Sequence, residues 1–561
     1  MAGQQNEGVL AVAVPGVLSY GAYSLLKSSG ASPELLYLTG GMAALCAVIA
    51  AKRSIDTLAY WFDMARLRKA VGTYGTTQRI NGQTPKQIGL KTSNEHGNGI
   101  PLGVRHGTRK PKIMYYDGDA SGLFICGTGG GKTSSLAKPI RLALGAERNA
   151  IITSKGVDMA VSTHRFLTEE LGQTVACIDP HRLLKKHGLK SDDFNPTEGL
   201  VELAEQRDAD LIEKAREVAQ VLLPEPAGGS GDNKIFRSVG RQFITWCLVY
   251  LAIEQADTGL LCCNLAYLYR MLNDGPDVLL GFFQEMAMCP DFDGVVSMAG
   301  KRFAGKFENA PKSAESFLTE AQEALAIFDP VSMIGKSVEY STFNAADLKT
   351  PGKKITIHIV LPVEKSESNN VFIALCLNTL ITQCIEAGRF EPRVTIIADE
   401  FENISTAPIP IMERLLKAGR TLGIQLFAFI QDLKGLEARY KELTSMFITQ
   451  SAILMAWDVR SVEDAELFSK RAGQRSIVTD SASLPNTGGD YSVSVKEEGI
   501  PLLRVDQFTQ MPKFQAVLFK EQYPPMIVDL VHFKEVDPWV HQIDHVSGAL
   551  PEPEFRVRYK A

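Results

Sequence analysis

Apolar positions along this chain fall into distinct patterns. Near the start, Gly8 to Leu26 and Leu35 to Ala51 are two nearly continuous apolar runs, separated by a polar turn from Lys27 to Glu34. Each approaches the roughly 17–25 residues that a membrane-spanning helix needs, so together they predict a two-helix transmembrane anchor. No Lys or Arg precedes Lys27, so the basic start of a secretory signal is missing. Lys52, Arg53, Arg66, Arg68 and Lys69 follow the second run. By the positive-inside rule these place both termini, and everything beyond residue 52, in the cytoplasm.

Further along, short β-branched runs alternate with helical stretches. Strands are predicted at Asn149–Thr153, Thr174–Ile178, Lys354–Leu361, Val394–Ala398, Ile424–Ile430 and Ala452–Trp457. Continuous apolar runs of this kind belong to buried parallel strands, and the alternation with helices predicts an α/β fold.

One of the junctions carries chemistry. The apolar run ending at Cys126 passes into Gly127-Thr128-Gly129-Gly130-Gly131-Lys132-Thr133-Ser134, a glycine-rich turn before a helix start. Such a loop curls backbone N–H groups around a phosphate, uses Lys132 to neutralise β and γ oxygens, and offers the Thr133 hydroxyl to Mg²⁺. In the pattern G-x-x-x-x-G-K-S/T the first glycine falls on Cys126. Either a Cβ is tolerated there or the loop holds nucleotide less well. A phosphate loop also needs an acid at the end of a neighbouring strand. Val394 to Ala398 runs into Asp399, a metal-shell ligand, and Glu400, a general base for the attacking water. The two motifs lie about 270 residues apart, too far for one compact nucleotide domain, so an insertion between them is expected.

Gln431 closes the strand Ile424–Ile430, where an amide can sense the γ-phosphate or simply serve as a cap after the strand. Arg420 falls at the opposite end of that strand. It is either a surface arginine or a finger that reaches a neighbouring subunit's nucleotide. Composition adds little: 59 basic against 64 acidic residues leave a formal charge of -5, so a polyanion must be met by a local patch. Arg66 to Lys112 is such a patch, suited to lipid headgroups, a nucleic-acid backbone or a solvated linker. Nine cysteines without a CxxC pair predict buried thiols, not a disulfide frame or zinc module.

These residues resemble the type IV coupling proteins, the TraG/TraD-like membrane ATPases of conjugation and type IV secretion. The resemblance rests on the anchor, Phe124 to Thr133, Phe194-Asn195-Pro196, Ile397 to Glu402, Ile411 to Ile424, Gln431 to Tyr440 and a tail from Ile500 to Ile527. It implies a RecA-like motor that binds ATP and Mg²⁺, assembles as a homo-hexamer and carries an inserted all-α domain. Lys132, Glu400 and Gln431 are then catalytic residues, with Arg420 kept beside them as the candidate finger, and Thr133 and Asp399 are the metal ligands. The implied organisation is 1–70 anchor and juxtamembrane segment, 71–255 first nucleotide-binding part, 256–335 helical insertion and 336–561 second part.

The function expected from that resemblance is an inner-membrane ATPase, DNA-stimulated, that links DNA in a relaxosome, or effector proteins, to a type IV secretion channel. The alternative is a cargo receptor whose nucleotide site is weak or structural, an idea motivated by Cys126. The family usually has an acidic residue before the Lys155-Gly156 pair, and here Ser154 stands there.

Overall fold

The computed structural model describes residues 17–67, 81–95, 97–224, 231–362, 366–405, 407–483, 492–544, 546 and 555–561. The chain divides into two compact units, Met1–Gln78 with Gly473–Leu502, and Arg79–Ala472 with Leu503–Ala561.

In the first unit, residues 17–28 are helical and a second helix runs Pro33–Leu67. Gly30, at φ +77°, makes the turn. A Cβ on Gly40 would come within 3.3 Å of the Tyr23 ring, so the small residue lets that ring close on the second helix. Among the described residues one segment, Pro33–Lys52, is long and apolar enough to cross a membrane. The expected first span is not shown as such, because Gly8 to Gly16 lie outside the described residues. The second helix continues 15 residues past Lys52 into a polar stretch, where the apolar run gave no sign of continuing. The same unit holds a hairpin of β10 (Gln474–Ser483) and β11 (Ser492–Pro501), paired from Gln474 opposite Pro501 to Ser483 opposite Ser492. Asp480 to Ser483 are the last residues of β10.

The second unit is built on one mixed sheet. Its strands are β1 (Ile100–Arg105), β2 (Ile113–Tyr116), β3 (Ser121–Cys126), β4 (Asn149–Lys155), β5 (Thr174–Ile178), β6 (Ile355–Leu361), β7 (Val394–Ala398), β8 (Ile424–Ile430), β9 (Ser451–Trp457), β12 (Gln515–Lys520) and β13 (Met526–Asp529). They are ordered β2-β1-β13-β12-β9-β3-β8-β7-β4-β6-β5. From β9 to β5 every pairing is parallel, and the strands on the other side of β9 are antiparallel. The parallel strands are apolar on both faces because helices cover both, as crossover connections require.

Between β5 and β6 the chain makes a helical region from Glu198 to Ser337. Helix Gly231–Thr258 packs against helices Glu198–Glu205, Asp210–Leu222 and Pro311–Leu325. Phe243 on that central helix meets Phe283, Phe303 and Phe317 at ring-centroid distances of 5.5, 5.4 and 5.2 Å, a spacing that adds to plain burial. The boundary expected at residues 255 and 256 falls inside this helix. The Phe194-Asn195-Pro196 run braces the region: Asn195 Nδ2 donates to Cys263 O at 3.0 Å and its Oδ1 accepts from Thr197 N at 3.0 Å.

Candidate functional site

Five loops leave the C-terminal ends of β3, β4, β7, β8 and β9, the end at which open parallel sheets hold ligands. The phosphate loop follows β3. Gly131 sits at φ +82°, and a Cβ there would stand 2.7 Å from the Phe514 ring. A Cβ on Gly130 would lie 2.2 Å from Cys126 Sγ. Both positions therefore need glycine. Cys126 does not, because it is the last strand residue of β3, paired with Trp457, and its side chain is fully buried. Burial pushes its thiol up to about 12, so it stays protonated and acts as packing.

Gly127, Thr128 and Gly130 are held in place from β9. Trp457 Nε1 donates to Gly130 O at 2.9 Å, Gly127 N donates to Asp458 O at 3.2 Å, and Arg460 Nη2 donates to Thr128 O at 2.8 Å and to Asp458 Oδ2 at 2.9 Å. These braces were missed by sequence reasoning, and no local motif announces them. After the loop, Lys132 begins a helical stretch whose first turn, Thr133–Ala137 with Ser134 in it, is a wide five-residue-bonded turn before Lys138–Ala143. Such insertions into a helix recur at functional sites.

Lys132 is 9% exposed, and its Nζ is buried with no hydrogen-bond partner among the described residues. A buried ammonium without an acceptor is costly, so the loop is built to receive an anion. Thr133 Oγ1 donates to Asp399 Oδ2 at 3.0 Å, which brings the two metal ligands expected from the sequence to one place. Loss of water around Asp399 pushes its pKa up, against the pull of Lys132 and the Thr133 hydrogen bond. A hydroxyl and a carboxylate in contact, beside an orphaned ammonium, form the oxygen donor set that suits Mg²⁺ and a polyphosphate.

Glu400 follows Asp399 in the left-handed region, at φ +48°, an uncommon conformation for a residue with a Cβ. Its N–H donates to Asp399 Oδ1 at 3.0 Å, and its side chain forms an ion pair with Lys155. One turn later Glu402 is buried, with Oε1 accepting from Gln431 N at 3.0 Å and Oε2 without a partner among the described residues. Burial pushes this acid up to about 7, opposed by Lys132. Sequence reasoning assigned Glu402 no role, although it stands in the Asp399-Glu400-Phe401-Glu402 run.

Gln431 emerges between the phosphate loop and the acids, because β8 lies between β3 and β7. The N-cap of helix Leu433–Tyr440 is the next residue, Asp432, whose carboxylate accepts from Gly435 N at 2.6 Å. Arg420 is exposed in the turn before β8, on the opposite rim of the sheet. Seven residues of strand at about 3.3 Å each put it roughly 20 Å from its own phosphate loop. Lys349, 3% exposed, anchors that rim by donating to the carbonyls of Arg389, Phe390, Pro392 and Leu422 at 3.1, 3.0, 2.8 and 2.6 Å.

The fold and this site define a RecA-like P-loop nucleotide-binding protein with an all-helical insertion. Residues 76–548 match the model of the type IV secretory system conjugative DNA transfer family, and the chain belongs to that family. It is 22% identical over 433 residues to the conjugal transfer protein TraG of Agrobacterium fabrum, covering 74% of this chain, and 20% identical over 499 residues to a probable TraG of Sinorhizobium fredii, covering 85%. The chain spans 61% of the length of the Agrobacterium relative and 72% of the Sinorhizobium one. Among solved structures it is similar to the plasmid coupling protein TrwB in complex with the non-hydrolysable ATP analogue ADPNP (16% identity, TM-score 0.53, 74% of this chain and 86% of that one). It is also similar to TrwB in complex with ADP and Mg²⁺ (14% identity, TM-score 0.52, 81% and 97%). These likenesses establish the shared fold.

Proposed function

We propose that the protein is a membrane-anchored ATPase motor that couples ATP hydrolysis to the transfer of DNA, in a relaxosome or with bound effector protein, through a type IV secretion channel. The observation that carries this reading is the 3.0 Å contact between Thr133 and Asp399 beside the unpartnered Lys132. Family membership supports the DNA substrate, and the nucleotide complexes of TrwB support ATP with Mg²⁺.

In this reading the loop Gly127–Ser134 holds the triphosphate through backbone N–H groups and Lys132. Thr133 and Asp399 hold Mg²⁺, which when bound neutralises the phosphate oxygens. Glu400 accepts the proton of the attacking water and Gln431 places that water. Arg420, too distant from its own site, completes a neighbour's in a homo-hexamer, a contribution of about 10³–10⁵ in rate where such fingers act. The anchor sits in the inner membrane through Pro33–Lys52 and the run before it as a two-helix hairpin, with both termini cytoplasmic. The helical region from Glu198 to Ser337 faces the cargo. The cargo-receptor alternative rested on Cys126, whose place at the end of β3 gives no reason for a weak loop.

The test is the ATPase rate of the full chain in detergent, with and without single-stranded and duplex DNA. DNA stimulation that Lys132→Ala abolishes is the expected result; no hydrolysis under any of these conditions overturns the motor. Arg420→Ala is expected to keep nucleotide affinity and lose hydrolysis.

A further inference from the structure

The ATPase reading leaves one contact in the site without a purpose, the ion pair of Lys155 Nζ with Glu400 Oε2. It follows from strand register. β4 and β7 run parallel with Thr153 opposite Ala398, and Asp399 N donates to Thr153 O at 3.3 Å, so two residues further on Lys155 and Glu400 stand side by side. Asp399 turns to Thr133, while the left-handed backbone of Glu400 sends its side chain the other way, toward β4. Gly156, at φ +77°, turns the chain off the sheet immediately after Lys155. The carboxylate expected to receive a proton is thus tied to a cation on the next strand.

The strength of that tie matters. The Lys155 and Glu400 side chains are 34% and 26% exposed, so water screens the pair and little free energy is needed to part it. A triphosphate seated in the phosphate loop brings several negative charges to the same rim and competes with that one screened carboxylate for the ammonium. The pair therefore forms without nucleotide and is easily exchanged with it.

Resting on the ATPase reading, we propose that Lys155 is a positioning residue that holds the Glu400 carboxylate away from the attacking water until nucleotide binding draws the ammonium off. Ser154 belongs to the same device. With no acid immediately before Lys155, the ammonium has Glu400 as its partner and no competing carboxylate on its own strand end.

Two measurements test this. In the full chain, Lys155→Met is expected to leave kcat at saturating ATP within about twofold, because bound nucleotide has already drawn the ammonium off, and to shift KM by no more than about fivefold, the worth of one exposed ion pair. Lys155→Arg restores the wild-type values. A fall in kcat of about tenfold or more makes Lys155 part of the catalytic machinery and overturns the proposal. The second measurement uses the wild-type protein and needs no turnover. Carbodiimide treatment joins an adjacent ammonium and carboxylate as an amide, and mass spectrometry reads the Lys155–Glu400 crosslink. Its yield is expected to be high without nucleotide and to fall at least severalfold with ADPNP and Mg²⁺. An equal yield in both states overturns the proposal. If the wild type binds ATP but never hydrolyses it, the motor reading fails by itself, and the crosslink still decides whether nucleotide releases Glu400.

Discussion

Thr133 Oγ1 and Asp399 Oδ2 meet at 3.0 Å although 266 positions separate them in the chain. The contact exists because β8 is the only strand between β3 and β7, so the two strand ends open onto one space. Thr133→Ala is expected to lower kcat by about 100-fold or more, the loss typical when one charge-stabilising group is removed, and to leave nucleotide binding weakly dependent on Mg²⁺. Thr133→Ser keeps the hydroxyl and most of the rate. Metal-titrated ATPase assays check both.

Trp457 reaches under the phosphate loop to Gly130 O. Trp457→Phe preserves a buried ring in β9 and leaves that carbonyl without its donor, a cost of about 1–3 kcal/mol borne by the loop's nucleotide-ready shape. Nucleotide affinity is expected to weaken by about tenfold while the melting temperature changes little. A fluorescent-nucleotide titration beside a thermal melt separates the two effects.

Glu402 sets a dependence on pH. Its folded pKa is raised to about 7, so the folded state holds the proton that the unfolded chain releases near 4.3. The stabilisation is complete below the unfolded value and is lost as pH rises through the folded one. Glu402→Gln keeps an oxygen for Gln431 N–H and removes the buried charge. It is expected to stabilise the protein at pH 8 by up to about 3 kcal/mol and to converge on the wild type near pH 4. Denaturant unfolding at the two pH values measures the difference.

Lys349 gathers four carbonyls with one ammonium, including Leu422 O in the turn that carries Arg420. Lys349→Met leaves those acceptors without a donor in a buried place, and a loss of about 3 kcal/mol or more is expected. Hydrolysis that depends on Arg420 should fall further than nucleotide binding in any fraction that stays folded. Thermal melts and the ATPase rate give the two values.

Local chemistry was readable from the chain, and distant adjacency was not. Gly127 to Thr133, and Asp399 with Glu400, could be found because each stands in one continuous run whose residue types state the requirement. Trp457, Asp458 and Arg460 brace the same loop, yet nothing in their own run says that β9 lies beside β3. Glu402 was hidden by the acids before it, since its role depends on folding back to the end of β8. The helical region was expected from residue 256, a position that falls inside helix Gly231–Thr258, while helices Glu198–Glu205 and Asp210–Leu222 already precede it. The antiparallel strands β12 and β13 were not anticipated either. They pair on a side of the sheet that carries no motif.

β5 and β6 are neighbours at the margin of the sheet, and the whole helical region is strung between them. A lineage can therefore lengthen, trim or exchange that stretch without threading new chain past the phosphate loop. That stretch is free to diversify while the nucleotide site stays as it is.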